Sequence, residues 1–193
     1  MMKRLITLTA LAATLSTSVN AQHVTPGIKG GLNFYTINTD NDQTYDGRTS
    51  FHLGMLGHIH LNKKWAVQPE IMYSAQGGKY TILGSEITLR LNYINVPVLL
   101  QYMFDNGFRL EAGPQFGFLA GAKTVVNDNI TSIKNDINTF DFALGVGVGY
   151  LHTASGLGID ARYNFGITDI NETSSVKSTN NGFQLGLFYQ FHH

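Results

Sequence analysis

The feature that most constrains this chain is an alternation of apolar and polar residues with a period of two. From Phe140 to Tyr150, bulky apolar residues occupy the even positions, and the odd positions hold glycine, alanine and one aspartate. Successive side chains of a β-strand point to opposite faces, so such a segment forms a strand with one apolar face. Comparable segments predict eight strands, at residues 27–37, 50–61, 65–76, 86–104, 108–121, 139–151, 157–167 and 182–191.

The fourth predicted strand departs from this pattern. In LNYINVPVLLQY the alternation changes phase between Tyr93 and Val96, and Pro97 cannot donate a hydrogen bond to a neighbouring strand. We therefore predict a β-bulge at this point. No segment beyond residue 21 has the period of a helix, so the sequence predicts an all-β fold.

The N-terminal segment has the composition of an export signal. Lys3 and Arg4 precede an apolar stretch, residues 5–15, that is too short to span a bilayer. Val19 and Ala21 supply small residues at the −3 and −1 positions of a cleavage site. A buried N-terminal helix is the less favoured interpretation, because the segment has no amphipathic face. We predict a signal peptide at residues 1–21 and one domain at residues 22–193.

Charge and cysteine content exclude several classes of function. Removal of Lys3 and Arg4 lowers the 13 Lys+Arg to 11, against 13 Asp+Glu. This near-balance gives no reason to expect nucleic acid as a partner. The chain has no cysteine, so disulfides and thiolate chemistry are excluded. An exported chain without cysteine is more typical of a bacterial envelope protein than of a small secreted disulfide scaffold.

The connections between the predicted strands alternate between short and long. The short turns, at residues 62–64, 105–107 and 152–156, include the strong hairpin signal Asn106-Gly107. The long polar connections lie at residues 38–49, 77–85, 122–138 and 168–181. An even number of strands starting in the periplasm places the short turns in the periplasm and the long loops outside the cell.

Two antiparallel up-and-down barrels fit eight such strands. A soluble lipocalin-like barrel binds a small apolar ligand inside its apolar face, whereas a transmembrane barrel turns that face outward to lipid. The polar face is rich in glycine and pairs acids with bases, and eight strands enclose only enough room for side chains. We therefore predict a transmembrane β-barrel of the bacterial outer membrane whose plugged interior contains a charge network, namely Glu70, Arg90, Arg109, Glu111, Asp160 and Arg162.

Several blocks of the sequence resemble a known family. GIKGGLNF, WAVQPEIMYSAQG, LNYINVPVLLQYMF, LEAGPQFGFL, GVGVGY and GIDARYNFGITDI occur in this order and cover nearly the whole predicted domain. Together they resemble the PorT-like outer-membrane β-barrel proteins of Bacteroidetes, and NYINVPVLLQY and EAGPQFG are the most specific blocks. The resemblance implies an eight-stranded outer-membrane barrel without a catalytic motif. The family's named member is linked to protein secretion by the type nine route, but most of its relatives have no assigned activity. The resemblance therefore implies no specific activity for this chain.

Three histidines in FHLGMLGHIHL raise the question of a metal site. His52, His58 and His60 alternate with lipid-facing residues, so they point into the predicted barrel. His58 and His60 lie about 6.6 Å apart along the strand, which makes joint ligation of one metal awkward even with Glu70 on the adjacent strand. We interpret them as hydrogen-bonded interior residues and keep His58, His60 and Glu70 as weak metal candidates.

An enzyme is a further alternative, because some outer-membrane barrels modify lipids. Ser50 and Ser74 lie near His52, but no G-x-S-x-G or comparable nucleophile motif is present in the sequence. We therefore expect a non-enzymatic protein without a cofactor, with a structural, adhesive or assembly role.

The expected partners follow from the predicted location. They are outer-membrane lipid, the barrel-assembly machinery during insertion and a possible protein partner at the extracellular loops. We expect the aromatic residues of the last strand, Tyr189 and Phe191, to serve as the insertion signal.

Overall fold

The computed structural model describes residues 24–41, 45–82, 84–172 and 176–191. The predicted signal peptide, residues 1–21, lies outside the described residues. The described chain contains nine strands and one short 3-10 helix, Lys134–Asp136. The strands are β1 Val24–Thr39, β2 Asp46–His60, β3 Trp65–Ile82, β4 Ser85–Met103, β5 Phe108–Val126, β6 Asn129–Ser132, β7 Phe140–His152, β8 Leu157–Gly166 and β9 Ser178–Gln190. Within these residues, no helix has both the length and the apolar character needed to cross a membrane.

Eight of the strands close into a ring. Each pairs antiparallel with its neighbour in the order β4-β3-β2-β1-β9-β8-β7-β5, and β4 also pairs with β5. Within the described ranges β6 pairs with β5 alone and stands outside the ring. The predicted eight-stranded antiparallel up-and-down barrel is therefore confirmed, and β6 is an addition that the sequence pattern did not indicate.

The apolar face of the strands is on the outside of the barrel. Met55 and Leu187 are 62% and 67% exposed, although both are large hydrophobic residues. The buried face is mainly polar and includes Lys29, Asn33 and Gln184. A soluble barrel would bury its apolar residues and expose its charges. This inside-out distribution rules out the lipocalin-like alternative.

Aromatic residues form two belts around the outside of the barrel. Near the short turns, rings contact one another from strand to strand: Trp65 packs on Tyr102, Tyr102 on Phe104, and Phe104 on Phe108. The belt towards the long loops, here the upper belt, consists of Phe34, Phe51, Tyr73, Phe118, Phe140, Phe165 and Phe183. Aromatic rings at these two levels are typical of the membrane–water interfaces of a transmembrane barrel.

The strands continue beyond the upper belt further than predicted. β3 runs to Ile82 and β4 begins at Ser85, so the predicted loop at residues 77–85 is mostly a hairpin. β5 continues to Val126, and β6 lies within the predicted loop at residues 122–138. These segments lack an apolar lipid-facing side, because they lie above the membrane. The alternation that identified the other strands is therefore weak there.

The predicted bulge between Tyr93 and Val96 is wrong. In β4 the buried residues keep a strict period of two, which includes Leu91, Tyr93 and Asn95. The irregularity lies in the facing strand β5, where Asn92 pairs with Gly121 and Tyr93 with Leu119, leaving Ala120 as the extra residue. The hydrophobic pattern changes phase because the interior itself changes from polar to apolar at this level.

Candidate functional site

The centre of the barrel contains a network of buried ion pairs. Arg162 on β8 donates through its two terminal nitrogens to both carboxylate oxygens of Glu70 on β3, at 3.1 and 3.0 Å. Its Nε donates to Glu111 on β5 at 2.9 Å. Lys29 on β1 lies 2.6 Å from Asp160 and 3.6 Å from Glu70. Two cations and three carboxylates from four strands, β1, β3, β5 and β8, thus meet inside the barrel.

Neutral and aromatic side chains extend this network towards the short turns. Gln68 donates to Glu70 at 2.8 Å, and Gln101 donates to Glu111 at 2.9 Å. Arg109 is buried and donates to the amide oxygen of Gln101 at 3.4 Å, with its guanidinium 5.4 Å from the ring centre of Phe188. With Arg109 included, three cations face three carboxylates. A buried charge without a partner is costly, and this balance of charges avoids that cost.

One glycine makes room for the closest ion pair. A Cβ atom at Gly186 of β9 would lie 2.6 Å from the Asp160 carboxylate and 2.9 Å from Cε of Lys29. Both neighbours are the buried partners of the 2.6 Å pair and have little space to move. The absence of a side chain at Gly186 therefore leaves the space that the pair of Lys29 with Asp160 occupies.

The structure places five of the six predicted network residues inside the barrel and the sixth outside. Glu70, Arg109, Glu111, Asp160 and Arg162 are all buried. Arg90 is exposed, so its prediction as an interior residue is wrong. Its strand position alternates with the buried Leu91 and lies above the upper belt, where the inward face is apolar.

Lys29 takes the place in the network that the sequence interpretation gave to Arg90. It lies on the polar face of β1, between Gly27 and Gly31, and is 2% exposed. A lysine in a strand whose alternate residues face lipid was the available signal, because a charge there can only point inward.

The structure does not assemble the weak metal candidates into a site. The rings of His58 and His60 are in edge contact at 4.6 Å, but His58 is buried and His60 is exposed at the rim. Glu70 is held by Arg162 and Lys29 instead. Across the described ranges, no group of three or more His, Cys, Asp and Glu residues is placed to hold a metal ion. His52 hydrogen-bonds through Nδ1 to the Asn33 amide oxygen at 2.7 Å.

The two serines near His52 are engaged in other hydrogen bonds. The Ser50 hydroxyl donates to the carbonyl of Ala75 at 2.6 Å. The Ser74 hydroxyl oxygen accepts amide hydrogens from Asn33 and Gln76, each at 3.0 Å. A nucleophilic serine needs a histidine base within hydrogen-bond reach, and these contacts turn both hydroxyls to amide partners.

The interior becomes apolar at the level of the upper belt. A cluster of buried residues fills the barrel there, here the apolar cluster, composed of Ile37, Leu91, Tyr93, Leu119, Ala122, Ile137 and Ile170. Ile137 and Ile170 come from the connections that follow β6 and β8, so these connections fold into the mouth of the barrel. The cluster separates the polar interior from the end of the barrel that carries the long connections.

Hydrogen bonds join the two connections that cover the mouth. The Asn138 side chain donates to the carbonyls of Asp169 and Asn171, both at 2.9 Å. The Asn171 side chain donates in turn to the Ser178 hydroxyl at 2.8 Å. Ile137 forms a bridge with Asn171 as well. Residues 133–139 and 167–172 thus hold each other over the apolar cluster.

A small sheet rises above the upper belt on one side of the barrel. It consists of the ends of β3, β4 and β5 together with β6, here the sheet extension, residues 77–82, 85–90, 123–126 and 129–132. All four residues of β6 are exposed. Among the described residues β6 pairs only with β5, so in that part of the chain its other edge presents backbone groups without a strand partner.

Comparison with known sequence families identifies the family of this chain. A family model described as "Outer membrane protein beta-barrel domain" matches residues 20–172, which is more than half of the chain. The chain belongs to the outer membrane protein beta-barrel domain family. It is therefore a protein of the bacterial outer membrane, as predicted. No curated protein sequence matches the chain.

Solved structures share the fold of this outer membrane β-barrel protein. Neisserial surface protein A is 12% identical, with a TM-score of 0.58, and the match covers 88% of this chain and 100% of that protein. The attachment invasion locus protein Ail of Yersinia pestis is 18% identical, with a TM-score of 0.52, covering 86% of this chain and 98% of Ail. At these identities the likeness concerns the fold alone.

Proposed function

We propose that this protein is a non-enzymatic outer-membrane barrel that presents the sheet extension as a contact surface outside the cell, in an adhesive or structural role. The observation that carries the proposal is the division of the molecule into a filled barrel and an exposed sheet with one open edge. Surface loops and edges placed by a rigid scaffold are frequent binding sites.

A filled interior supports a contact role over transport or catalysis. At the centre, Arg162 joins Glu70 and Glu111 across the barrel, and the apolar cluster lies above this network. An eight-stranded barrel leaves little space once such side chains are in place. We infer a plugged barrel whose interior serves stability.

The open edge of β6 supports a specific mode of contact. A free strand edge can add a strand from a partner, with backbone hydrogen bonds supplying affinity. In the hairpin register, Val126 faces Asn129 and Val125 faces Ile130. Antiparallel strands alternate between residues bonded to the partner and residues bonded outward, so the Ile130 N–H points to the open edge.

An edge substitution tests this proposal. Ile130→Pro removes the outward N–H and preserves the ladder with β5, whereas Ile130→Ala removes the side chain and retains the N–H. Cells that express the protein are tested for retention on surfaces coated with matrix proteins and on a layer of the same cells. We expect Ile130→Pro to lower retention severalfold and Ile130→Ala to leave it close to wild type. Equal retention by wild type and Ile130→Pro would contradict edge contact.

The plugged interior has its own test. Liposomes containing the folded barrel should swell in arabinose no faster than liposomes without protein. The variant Leu91→Ala/Ile170→Ala, which thins the apolar cluster, serves as the comparison. Rapid swelling with the wild-type barrel would show a transport path and would remove the basis for a purely structural interior.

The finer sequence predictions also belong to this proposal. We propose that the chain is a PorT-like member of its family, on the strength of the blocks NYINVPVLLQY and EAGPQFG. We also propose export by a signal peptide at residues 1–21 and recognition of Tyr189 and Phe191 by the barrel-assembly machinery. The two rings are in edge contact at 5.3 Å on the lipid side of the last strand, which supports the latter.

The proposed orientation places the sheet extension outside the cell. Trypsin added to intact cells should then cut after Lys134 or Lys177, which are exposed in the long connections, and spare Lys63 and Lys64 in a short turn. Cleavage at Lys63 or Lys64 alone would place the sheet extension in the periplasm and overturn the extracellular contact role.

A further inference from the structure

A group of basic residues lies on the outer surface of the barrel just above the upper belt. Arg90 on β4 is exposed, and its Cα pairs in register with Lys123 on β5, which is also exposed. Both follow the alternation of strands whose next residues, Leu91 and Ala122, belong to the apolar cluster inside. Arg90 and Lys123 therefore point away from the barrel axis, side by side.

Arg48 on β2 belongs to the same group. Partial burial lowers the pKa of its guanidinium from the usual value, and the nearby charge of Arg90 lowers it further. Its guanidinium donates a hydrogen bond to the backbone carbonyl of Gln76 on β3, three residues after Tyr73 of the upper belt. The like charges of Arg48 and Arg90 repel each other, so an anion between them would be stabilising.

These three cations have no acidic partners in the described part of the chain. The ion pairs found there involve Lys29, Arg162 and, on the surface, Lys79 with Glu86 at 2.9 Å. The charges of Lys79 and Glu86 neutralise each other and add nothing to the net charge of the group. Asp128, in the turn between β5 and β6, leaves the group of Arg48, Arg90 and Lys123 with a net charge of +2.

Arg48 and Arg90 line a polar recess, and Lys123 lies beside it in register with Arg90. The recess has a volume of about 520 Å³ and is also lined by Thr49, Lys79, Glu86 and Thr88, and by Val125, Asn127 and Asp128 at the end of β5 and in the turn after it. Hydroxyl groups of Thr49 and Thr88 add neutral donors to the cations. Arginine and lysine with hydroxyl donors are the side chains that bind phosphate groups.

The height of the group matches the headgroup layer of a bilayer. Ile94 lies in register between Tyr73 and Phe118 of the upper belt, and Arg90 is four residues further along β4. A tilted strand rises about 2.5 Å per residue along the membrane normal, so Arg90 lies about 10 Å above the belt. The headgroup region extends about 5–8 Å beyond the hydrocarbon core on each side, within reach of these long side chains.

We propose that Arg48, Arg90 and Lys123 form a binding site for the phosphate groups of anionic lipid in the outer leaflet. The site lies on the lipid side of the barrel, at headgroup height, and its net positive charge complements a phosphorylated headgroup. It would hold an annular lipid against the base of the sheet extension and so fix the angle at which that extension leaves the membrane.

The test measures binding of a phosphorylated lipid to the folded protein. Short-chain bisphosphorylated lipid A and its dephosphorylated form are titrated onto the barrel in zwitterionic detergent at low salt, with calorimetry as the readout. Each cation near an anionic surface contributes about fivefold to binding. We expect wild type to prefer the phosphorylated form, and Arg48→Gln/Arg90→Gln/Lys123→Gln to lose about tenfold to a hundredfold of affinity. The single variant Arg90→Gln should lose about fivefold.

Controls separate a site from a general charge effect. Lys63→Gln/Lys64→Gln/Lys134→Gln removes the same number of charges elsewhere and should bind as wild type does. Retention of the heat-resistant folded form on gels verifies that each variant is folded. Equal loss in the control triple variant, or no preference in wild type, would overturn the proposal. Displacement of the lipid by low millimolar inorganic phosphate would assign the site to a soluble anion and overturn the lipid assignment.

Discussion

The barrel has two interiors of opposite character. At membrane height the space inside is mainly polar, with Arg162 between Glu70 and Glu111, and the outside is apolar. From the upper belt outwards, the inside holds the apolar cluster, and the outside carries charges such as Arg90. The comparison teaches that the medium around a strand decides which of its faces is polar. Lipid selects an apolar outside, and water selects an apolar inside.

A single strand makes this reversal visible. In β4, Asn95 and Gln101 point inward while Ile94 and Leu100 face lipid. Further along the same strand, Leu91 points inward and its neighbours face water. The alternation of inward and outward side chains continues unchanged along β4. At the level of the upper belt, the inward face changes from polar to apolar and the outward face from apolar to polar. The two regions therefore require different substitutions to disrupt them.

The largest effect is expected from breaking the polar interior. Arg162→Met removes the ion-pair partner of the buried Glu111 and leaves the buried Glu70 with Lys29 alone, at 3.6 Å. Loss of one member of a buried pair costs about 3–5 kcal/mol. The measurement is urea unfolding of the barrel refolded in zwitterionic vesicles. Arg90→Met, the same substitution outside the barrel, should change the free energy of unfolding by less than about 0.5 kcal/mol. Similar values for the two variants would mean that the network does not stabilise the barrel.

The next effect tests the outer faces of the two regions. Val146 is 53% exposed on β7, midway between Phe140 of the upper belt and Tyr150 near the short turns. Val146→Arg should therefore cost about 2–4 kcal/mol in vesicle folding assays. Val125→Arg makes the same change in the sheet extension, where the outer face meets water, and should have little effect. If Val125→Arg cost more than Val146→Arg, the assignment of the membrane to the level of Val146 would be wrong.

The alternation was sufficient to predict the strands within the membrane and the side that faces lipid. It worked because lipid imposes a uniform apolar face, so each strand from β1 to β9 that crosses the membrane shows period two. Glu70, Glu111, Asp160 and Arg162 were predicted to share the interior on the same ground, since a charge in a lipid-bounded strand must point inward.

The errors arose where that rule stops applying. The prediction of Arg90 as an interior residue assumes that β4 faces hydrocarbon along its whole length, whereas its outer end lies above the hydrocarbon core, where a charge can point outward. The apparent phase change near Tyr93 has the same origin, since an apolar residue there points inward. The pairing of Lys29 with Asp160 joins β1 to β8 through space, and a linear pattern does not contain that information.

A smaller effect probes the neutral part of the polar interior. Gln101→Leu leaves one oxygen of the buried Glu111 without its 2.9 Å donor and removes the acceptor of Arg109. An unsatisfied buried polar group costs about 1–3 kcal/mol, measured by the same urea titration. Gln190→Leu is the matched control, because the Gln190 amide nitrogen has no hydrogen-bond partner among the described residues. An equal cost for both would show that burial alone, and not the bond to Glu111, determines the result.

The smallest effect is expected for the ion pair on the sheet extension. Lys79 and Glu86 lie 2.9 Å apart with side chains 37% and 61% exposed, unlike the buried pair of Arg162 with Glu70. A double-mutant cycle with Lys79→Gln and Glu86→Gln should give a coupling of about 0.2–1 kcal/mol. Salt should weaken this coupling, since charges in water are screened within about 10 Å at 0.1 M ionic strength. The coupling of Arg162 with Glu70 should be nearly independent of salt, because both groups lie in the closed interior. If salt weakened both couplings equally, water and ions would have access to the interior, and the contrast between the two regions would fail.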